Sequence, residues 1–514
     1  MSRAHVDDDG IHLPDALDEP VDISLAGNPL WSFNPARDGR RTVRGVVVPW
    51  PGPILERLHG TAHVVVAVHA GGTPLVDEEV SFGGSTEPLA IVDAKGHPLT
   101  LDKGGRLQLT FDQMDDASLS ELISASKGVL DDLVEKCGLD AYLCYGGLLG
   151  AVRTGHMIGH DSDVDLAWIS PHTHPFDIVR ESRAAEQKMR ALGWRVVRMS
   201  AANFKVWAPL PNGKRAGVDV FGSFHIGSYF HLTGSLRGRL RREQVLPFQP
   251  ITLEGVEFPA PADLDAFLAY TYGPGWRVPD PAFHFDHPPE NTQLMSHWWR
   301  GTRRRLWYWA AFYESGDVAR VPTEPSLFAH HVASRIEPGA RVVELGAGTA
   351  RDAIWLTQQG YDVTTSDYSG AARKVATAAA KKAGVPLKWQ FHNLESTWST
   401  LVGAAKLAHE PGPKHVYARM LVDALDPEAR VSLWRFCSMV GRSGGRTFLE
   451  FRTAASRHEP KFFGHHIRTY VRVPVIEAEI AARGGTIVEK TVGRGLAPLG
   501  EEDPVVCRME VSWT

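Results

Sequence analysis

Cysteine is scarce: four occur in 514 residues, at positions 137, 144, 437 and 507, and no two form a CxxC pair. That scatter excludes a disulfide framework and a thiolate zinc site, and it fits a reducing compartment. Long apolar runs are lacking too. No stretch of ~18 consecutive apolar residues occurs, and the opening MSRAHVDDDGIHLPD has no hydrophobic region of the kind export signals need. The sequence therefore predicts no membrane span and a cytoplasmic location. An excess of one charge is also missing. With 55 Lys and Arg against 60 Asp and Glu the formal net charge is −5, which offers no general attraction for nucleic acid or an anionic membrane. Two short basic runs, 237–242 and 300–305, read as solvated faces or helix ends, with phosphate binding as the alternative.

What is present describes an ordinary globular chain, 43% hydrophobic and 22% charged, without internal repeats or low-complexity tracts. At ~150 residues per domain its length predicts three domains. The fold class expected is multidomain α/β. The first 40 residues, acidic and proline-containing, read as an irregular arm. Residues 41–113 hold short β-type runs, TVRGVVV, AHVVVAV and GRLQLTF, separated by Gly, Pro and Asp, and predict a small antiparallel β domain. At about Asp115 the period changes. Leu119, Leu122, Ile123, Leu130, Leu133 and Val134 share one face of a helix ending near Gly138, which opens an α+β domain over 114–290. A second helix is expected from about Phe176 to Leu192, closed by Gly193, and then a hairpin with arms NFKVWAP and RAGVDVFGSF. Residues 291–327 read as an aromatic, basic helical linker. From 328 to 514 strands and helices alternate, which predicts a mostly parallel sheet covered on both faces.

The middle domain carries HDSDVDLAW. Asp163 and Asp165, two residues apart on a strand, project to one face and can share a divalent cation. A lone DxD is usually a solvated acidic loop. Here it stands in an ordered set, with Gly146 and Gly147 freeing the backbone for a phosphate, Arg153 as a bidentate cation, and Asp219 on the later hairpin strand. Three carboxylates on adjacent strands around one ion is how nucleotidyltransferase-type sites are built. Lys205, on the other arm of that hairpin, reads as a surface lysine.

The segment YGGLLGAVRTGHMIGHDSDVDLAW resembles the signature of the LicD and fukutin-related family, approximately GTLLGAVRHxGFIPWDDDxD. The later LEGVEFPAPADLDAFLAYTYGPGW is similar to that family's ending, so the resemblance spans about 118–286. It implies a nucleotidyltransferase-like fold and transfer of a phospho-alcohol, such as choline, ribitol or glycerol phosphate, from a CDP-linked donor to a glycan or phosphoglycan hydroxyl. By the same resemblance Asp163, Asp165 and Asp219 bind Mg²⁺ (or Mn²⁺), Gly146, Gly147 and Arg153 hold the donor, and Asp161 lies in the motif. Gly146 stands where the family commonly has Gly before Thr, and HDSD replaces the usual Trp and acidic run; these departures bear on donor preference.

In the last domain ARVVELGAGTARDAIWLTQQGYDVTTSDYS reads as strand, glycine turn, helix, strand and terminal acid. Gly346 and Gly348 allow close approach of a ligand, and Asp367 can accept from both ribose hydroxyls. Glu344 would repel a pyrophosphate but suits a cationic amino-acid moiety, which favours S-adenosylmethionine over a dinucleotide. The segment resembles class I methyltransferases, a Rossmann-like fold, with Asn393 and Leu394 in HNLES as the adenine turn. Arg419, Arg452, His466 and Arg468, in loops expected after strands, suit an anionic acceptor. Together these readings predict a bifunctional enzyme that modifies a surface glycan, in peripheral contact with membrane-bound glycan machinery. Two other readings stay open: a nucleotidyltransferase acting on a small molecule, and a glycan-binding module attached to an active methyltransferase.

Overall fold

The computed structural model describes all residues except 1–2, 16, 70, 72, 94–95, 103–104, 106, 109–115, 160–162, 210–214, 234–235, 286–297, 300, 304, 458, 460–461, 464–468 and 514. The chain divides into two compact units, one of residues 1–197 with 202–292 and one of 198–201 with 293–514.

The first unit opens with eight strands: β1 (His5–Asp7), β2 (Gly10–Leu13), β3 (Val21–Leu25), β4 (Asn28–Phe33), β5 (Arg40–Thr42), β6 (Gly45–Pro49), β7 (Gly60–Val68) and β8 (Val76–Phe82). They pair antiparallel in two four-stranded sheets, β1-β2-β6-β5 and β4-β3-β7-β8. Val21, Ile23 and Leu25 alternate inward with Val64 and Val66, and they join Ile11, Val48 and Phe82 in one core. Residues 5–33 thus correct the expected irregular arm: their strands are short and outwardly polar, which hides the period, yet their inner faces complete the core begun by 45–82. Of the expected strand GRLQLTF, Leu107–Gln108 pairs with Thr100–Leu101, and most of the rest lies outside the described residues.

The α+β part follows. Helix α1 (Asp116–Asp131) buries Leu122, Ile123, Val129 and Leu130, and the chain turns at Gly138 with φ 74°. Next come β9 (Asp140–Leu143), α2 (Tyr145–Arg153), β10 (Val164–Ile169), α3 (Pro175–Ala191), β11 (Arg195–Arg198), β12 (Phe204–Pro209), β13 (Arg215–Ile226), β14 (Tyr229–Leu232), β15 (Leu236–Gly238), β16 (Gln249–Leu253), β17 (Val256–Ala260) and α4 (Leu264–Tyr272). The sheet runs β9-β10-β13-β12-β11, with β14 also on β13 and β15 on β14. Every residue of β10 is buried, the mark of a central strand.

In the second unit we label α5 (Leu306–Glu314), α6 (Leu327–Ala333), β18 (Arg341–Leu345), α7 (Arg351–Gln358), β19 (Asp362–Asp367), α8 (Gly370–Ala383), β20 (Lys388–Phe391), α9 (Thr397–His409), β21 (His415–Arg419), α10 (Pro427–Gly441), β22 (Arg446–Arg452), α11 (Val473–Ala481), β23 (Gly485–Gly493) and β24 (Val506–Trp513). The sheet order is β20-β19-β18-β21-β22-β24-β23. The first five strands are parallel, β24 runs antiparallel to β22, and β23 antiparallel to β24. Val343, Val416 and Ala418 pack with Leu433, Trp434 and Ile476 in one cluster, while their strand neighbours Val342 and Tyr417 pack with Phe328, Leu356 and Ala376 in another. Alternate residues of the same strands therefore feed two cores, one on each face, as a doubly wound Rossmann-like sheet requires.

Candidate active sites

The strand register assembles the first site. Asp165 on β10 stands beside Asp219 on β13 in a parallel pair, and Asp219 stands opposite Lys205 on β12. Residues level across a sheet point to the same side, and Asp163, two residues before Asp165, shares that side. Asp163, Asp165 and Asp219 each offer a carboxylate oxygen, all within 4.8 Å of one another. Three anionic oxygens this close, with Asp165 only 5% exposed, fit the donor set of a hard divalent cation. Lys205 is not on the open surface as expected: its Nζ lies 2.8 Å from Asp219 Oδ2 and 4.0 Å from Asp163 Oδ2. A Cβ on Gly217 would sit 3.1 Å from Lys205 Cδ, so the bare glycine leaves the lysine its channel along the sheet.

The glycines of the motif serve the backbone in another way. Gly146 and Gly147 are buried in the first turn of α2, not in an open phosphate loop, and it is Tyr145 that takes the left-handed φ of 46° as the chain enters the helix. The Cys144 amide donates to the Asp165 carbonyl, which ties that entry to β10. A Cβ on Gly150 would lie 2.3 Å from the His156 carbonyl oxygen, so the returning chain crosses the helix where there is no side chain. Glu254, at the tip of the β16–β17 hairpin, then accepts from the Met157 amide at 2.7 Å and pairs with His156 Nδ1 at 3.0 Å. This anchor, which fixes the chain a few residues before Asp163, belongs to the quoted LEGVEF segment but carried no period or charge pattern that would reveal its role. Arg153 donates to the carbonyls of Trp276 and Val278 and lines a cavity of about 810 Å³ with Gly146, Trp276, Asp22, Trp31 and His69. The three carboxylates do not line that cavity, so Arg153 positions residues 276–278 and does not join the cluster. Asp161 lies outside the described residues.

The second site is a cavity of about 410 Å³ at the carboxyl ends of β18, β19, β21 and β22, where open α/β sheets place their ligands. Gly346 and Gly348 take left-handed φ of 66° and 54°. A Cβ on Gly348 would be 2.5 Å from the Tyr313 hydroxyl oxygen, so the glycine turn lies directly under α5. Asp367 accepts from the amides of Gly348 at 3.1 Å and Ser369 at 2.9 Å, and burial still pushes its carboxyl up. Burial pushes Glu344 well up, with Asp352 adding to the effect, and its Oε2 is buried without a hydrogen-bond donor. An ammonium would satisfy that oxygen, and the two positive-φ glycines leave room for a ligand backbone, so these residues fit S-adenosylmethionine. Asn393 accepts from the Glu395 amide and donates to the Thr302 carbonyl at 2.6 Å, which shapes the turn holding Leu394. His392 beside it is driven down to about 4 by burial, so it is neutral at pH 7.

The arginines are not surface groups. Arg419 donates to Asp352 at 2.9 Å, where Tyr417 and Ser326 also donate, and Arg452 donates to Glu502 at 3.1 Å. Both line the cavity, but each is committed to a protein carboxylate, which corrects the expectation that they stand ready for an anion. His466 and Arg468 lie outside the described residues. The residues read as a linker supply Arg305, Trp309, Phe312 and Tyr313 to the cavity wall, and Glu450 joins them from β22. The aromatic run LWYWAAFY was visible in the sequence; that it closes this cavity depends on packing.

Residues 138–263 match the family model described as LicD/FKTN/FKRP, nucleotidyltransferase domain. No curated protein matches the chain. Among solved structures, an S-adenosylmethionine-dependent methyltransferase from Anabaena variabilis is 16% identical, covering 41% of this chain and 92% of its own, with a TM-score of 0.30. A TehB-like S-adenosylmethionine-dependent methyltransferase from Corynebacterium glutamicum is 12% identical over 41% of this chain and 98% of its own, with a TM-score of 0.27. The glycopeptide N-methyltransferase MtfA with S-adenosylhomocysteine is 14% identical over 37% and 88%, with a TM-score of 0.27. Within its first unit the chain carries a LicD-type nucleotidyltransferase domain over residues 138–263, and its second unit is a doubly wound, Rossmann-like α/β sheet.

Proposed function

We propose that the first unit transfers a phospho-alcohol from a CDP-linked donor to a glycan or phosphoglycan hydroxyl, with release of CMP, and that the second unit methylates the same glycan or its phospho-substituent. The observation that carries the first half is the single row of Asp165, Asp219 and Lys205 across three strands, with Asp163 on the same side. In this reading Asp163, Asp165 and Asp219 hold Mg²⁺ (or Mn²⁺), which supplies charge neutralisation to the transferring phosphoryl group. Lys205 places a second positive charge beside it. The carboxylate of the trio facing the acceptor hydroxyl takes its proton. The matched family's character as a nucleotidyltransferase domain supports a second outcome, transfer of the nucleotidyl group instead.

For the second half, Glu344 and Asp367 hold the ammonium and the ribose hydroxyls of S-adenosylmethionine, and the methyl sulfonium is the electrophile. A cytoplasmic setting beside membrane-bound glycan machinery fits these substrates; among the described residues no helix is long and apolar enough to cross a membrane.

Mass spectrometry decides between the outcomes. The full chain is incubated with Mg²⁺, S-adenosylmethionine, CDP-choline, CDP-glycerol or CDP-ribitol, and short phosphoglycans, beside an Asp163→Ala, Asp165→Ala variant. CMP release with a phospho-alcohol mass gain, lost in the variant, supports the transferase. A nucleotidyl adduct supports the second outcome, and methylation alone, equal in both proteins, leaves the first unit as a binding module.

A further inference from the structure

Buried carboxylate oxygens are almost always paired, because an unpaired one forfeits its hydration without return. Among the carboxylates lining the cavity of the second unit, Glu344 Oε2 and Glu450 Oε1 break that rule: both are buried without hydrogen-bond donors, in residues that are 5% and 1% exposed. One cosubstrate ammonium accounts for the Glu344 oxygen and leaves the one on Glu450. Glu450 sits two strands away, its backbone opposite Arg419 in the β21–β22 pair, with Oε2 accepting from Arg508 Nε at 2.8 Å and Oε1 4.0 Å from Arg419 Nη1.

The rest of the wall says what kind of donor is missing. Seven carboxyl side chains line the cavity against four guanidiniums. Each guanidinium is already directed at the protein: Arg419 at Asp352, Arg452 at Glu502, Arg305 at the Ala424 carbonyl, and Arg351 at the Pro322 carbonyl. An anionic acceptor would meet unbalanced carboxylates, whereas a cation gains from them and from the rings of Trp309, Phe312 and Phe463 in the same lining. The rings are packed as a set, with Phe312 edge-on to Phe463 at 5.2 Å.

We propose that the methyl acceptor is an amine, held by an N–H···O bond to Glu450 Oε1 beneath the rings of Trp309, Phe312 and Phe463. This rests on the reading of the cavity as an S-adenosylmethionine site. In the reaction the ammonium gives one proton to the Glu450 carboxylate. The freed nitrogen lone pair forms the N–C bond to the methyl carbon as the C–S bond breaks. The C–S electron pair stays on sulfur, leaving neutral thioether S-adenosylhomocysteine and a methylammonium product. Burial pushes the Glu450 carboxyl up, which suits a group that must take a proton.

The test uses the full chain. Calorimetry with S-adenosylhomocysteine reports the cosubstrate site by itself. Turnover with S-adenosylmethionine is then followed by product mass on CDP-ethanolamine, phosphoethanolamine and glucosamine, beside the hydroxyl compounds CDP-glycerol and glucose. Methylation of an amine probe is expected, and which one reacts tells whether the amine arrives on a nucleotide, on a free phosphoalcohol or on a sugar. Glu450→Gln is expected to keep S-adenosylhomocysteine affinity, to lower turnover on the amine by about 100-fold, and to weaken amine binding to the S-adenosylhomocysteine complex. Phe463→Leu should raise KM for the amine and leave kcat in place. Cosubstrate binding with methyl found only on hydroxyl probes, or on none, overturns the amine assignment and spares the site reading. Absence of cosubstrate binding overturns both, and unchanged turnover in Glu450→Gln removes that residue from the proposal.

Discussion

Lys205 and the three carboxylates share a small space, and a lysine ammonium competes with a metal ion for the same oxygens. At 4 Å and an effective dielectric near 20 a pair of unit charges is worth roughly 4 kcal/mol, so the ammonium 2.8 Å from Asp219 weighs heavily on the ion's affinity. Lys205→Met is therefore expected to tighten Mg²⁺ or Mn²⁺ binding by about tenfold or more, read by calorimetric titration, while transfer falls because the phosphate loses a cation. If ion affinity drops instead, the lysine is holding the trio in place and not competing with the metal. Glu344 makes the opposite kind of prediction, about pH. Its folded carboxyl is raised well above the ordinary value, so the native state binds the proton more tightly than the unfolded chain. Unfolded-state protons are then fewer, and the group costs stability as pH rises above the unfolded value near ~4.3. Glu344→Gln avoids that cost. Its melting temperature should exceed that of the unsubstituted protein by a margin that widens with pH from ~4.3 upward and closes below it, and it should bind S-adenosylhomocysteine more weakly at pH 7. A margin independent of pH would mean that the substitution acts through packing.

At the scale of elements, the glycine crossing between α2 and its return chain controls where Asp163 stands. Gly150→Ala puts a methyl group 2.3 Å from the His156 carbonyl oxygen, with that residue held from the other side by Glu254. Overpacking of this kind costs about 1–3 kcal/mol, and here the relief available is movement of the 154–159 segment that leads into Asp163. The expected result is a lower melting temperature of the first unit together with weaker divalent-ion binding, whereas Gly155→Ala, with no atom within 4 Å but φ of 79°, should cost stability through its backbone without reaching the ion. Elements of this type explain what the sequence could and could not disclose. The long helices α1 and α3 and the alternating sheet of the second unit were legible, because period and flanking glycines are local. Asp163 and Asp165 were legible by the two-residue alternation, and Asp219 by its place on a β-branched strand. Gly146 and Gly147 were read as freeing the backbone for a phosphate and not as helical, since glycine weakens a helix in isolation and only burial against Leu143 and neighbours makes one here. Strands β1 to β4 escaped notice because three to six residues with one polar face hold too few periods. Lys205, Glu254 and α5 act through partners far along the chain, and no local pattern names those partners.

For the molecule as a whole, two compact units with separate candidate ligands make ligand binding a test of independence. A ligand at 100 times its Kd stabilises the form that binds it by ~2.7 kcal/mol, and for a unit of roughly 150–250 residues each kcal/mol moves the melting point by roughly 2–4 °C. S-adenosylhomocysteine should therefore raise one calorimetric transition by roughly 5–10 °C and leave the other in place. Mg²⁺ with CMP should do the reverse, and Asp163→Ala, Asp165→Ala should abolish only the second response. That pattern would mean that each site is built within its own unit, as the strand registers of the two sheets suggest, and that what passes between the two activities is the modified substrate. If either ligand raises both transitions together, the units unfold as one cooperative body. Binding at the carboxylate trio would then be linked to methyl transfer through the fold, and the two reactions would have to be assayed with both ligands present.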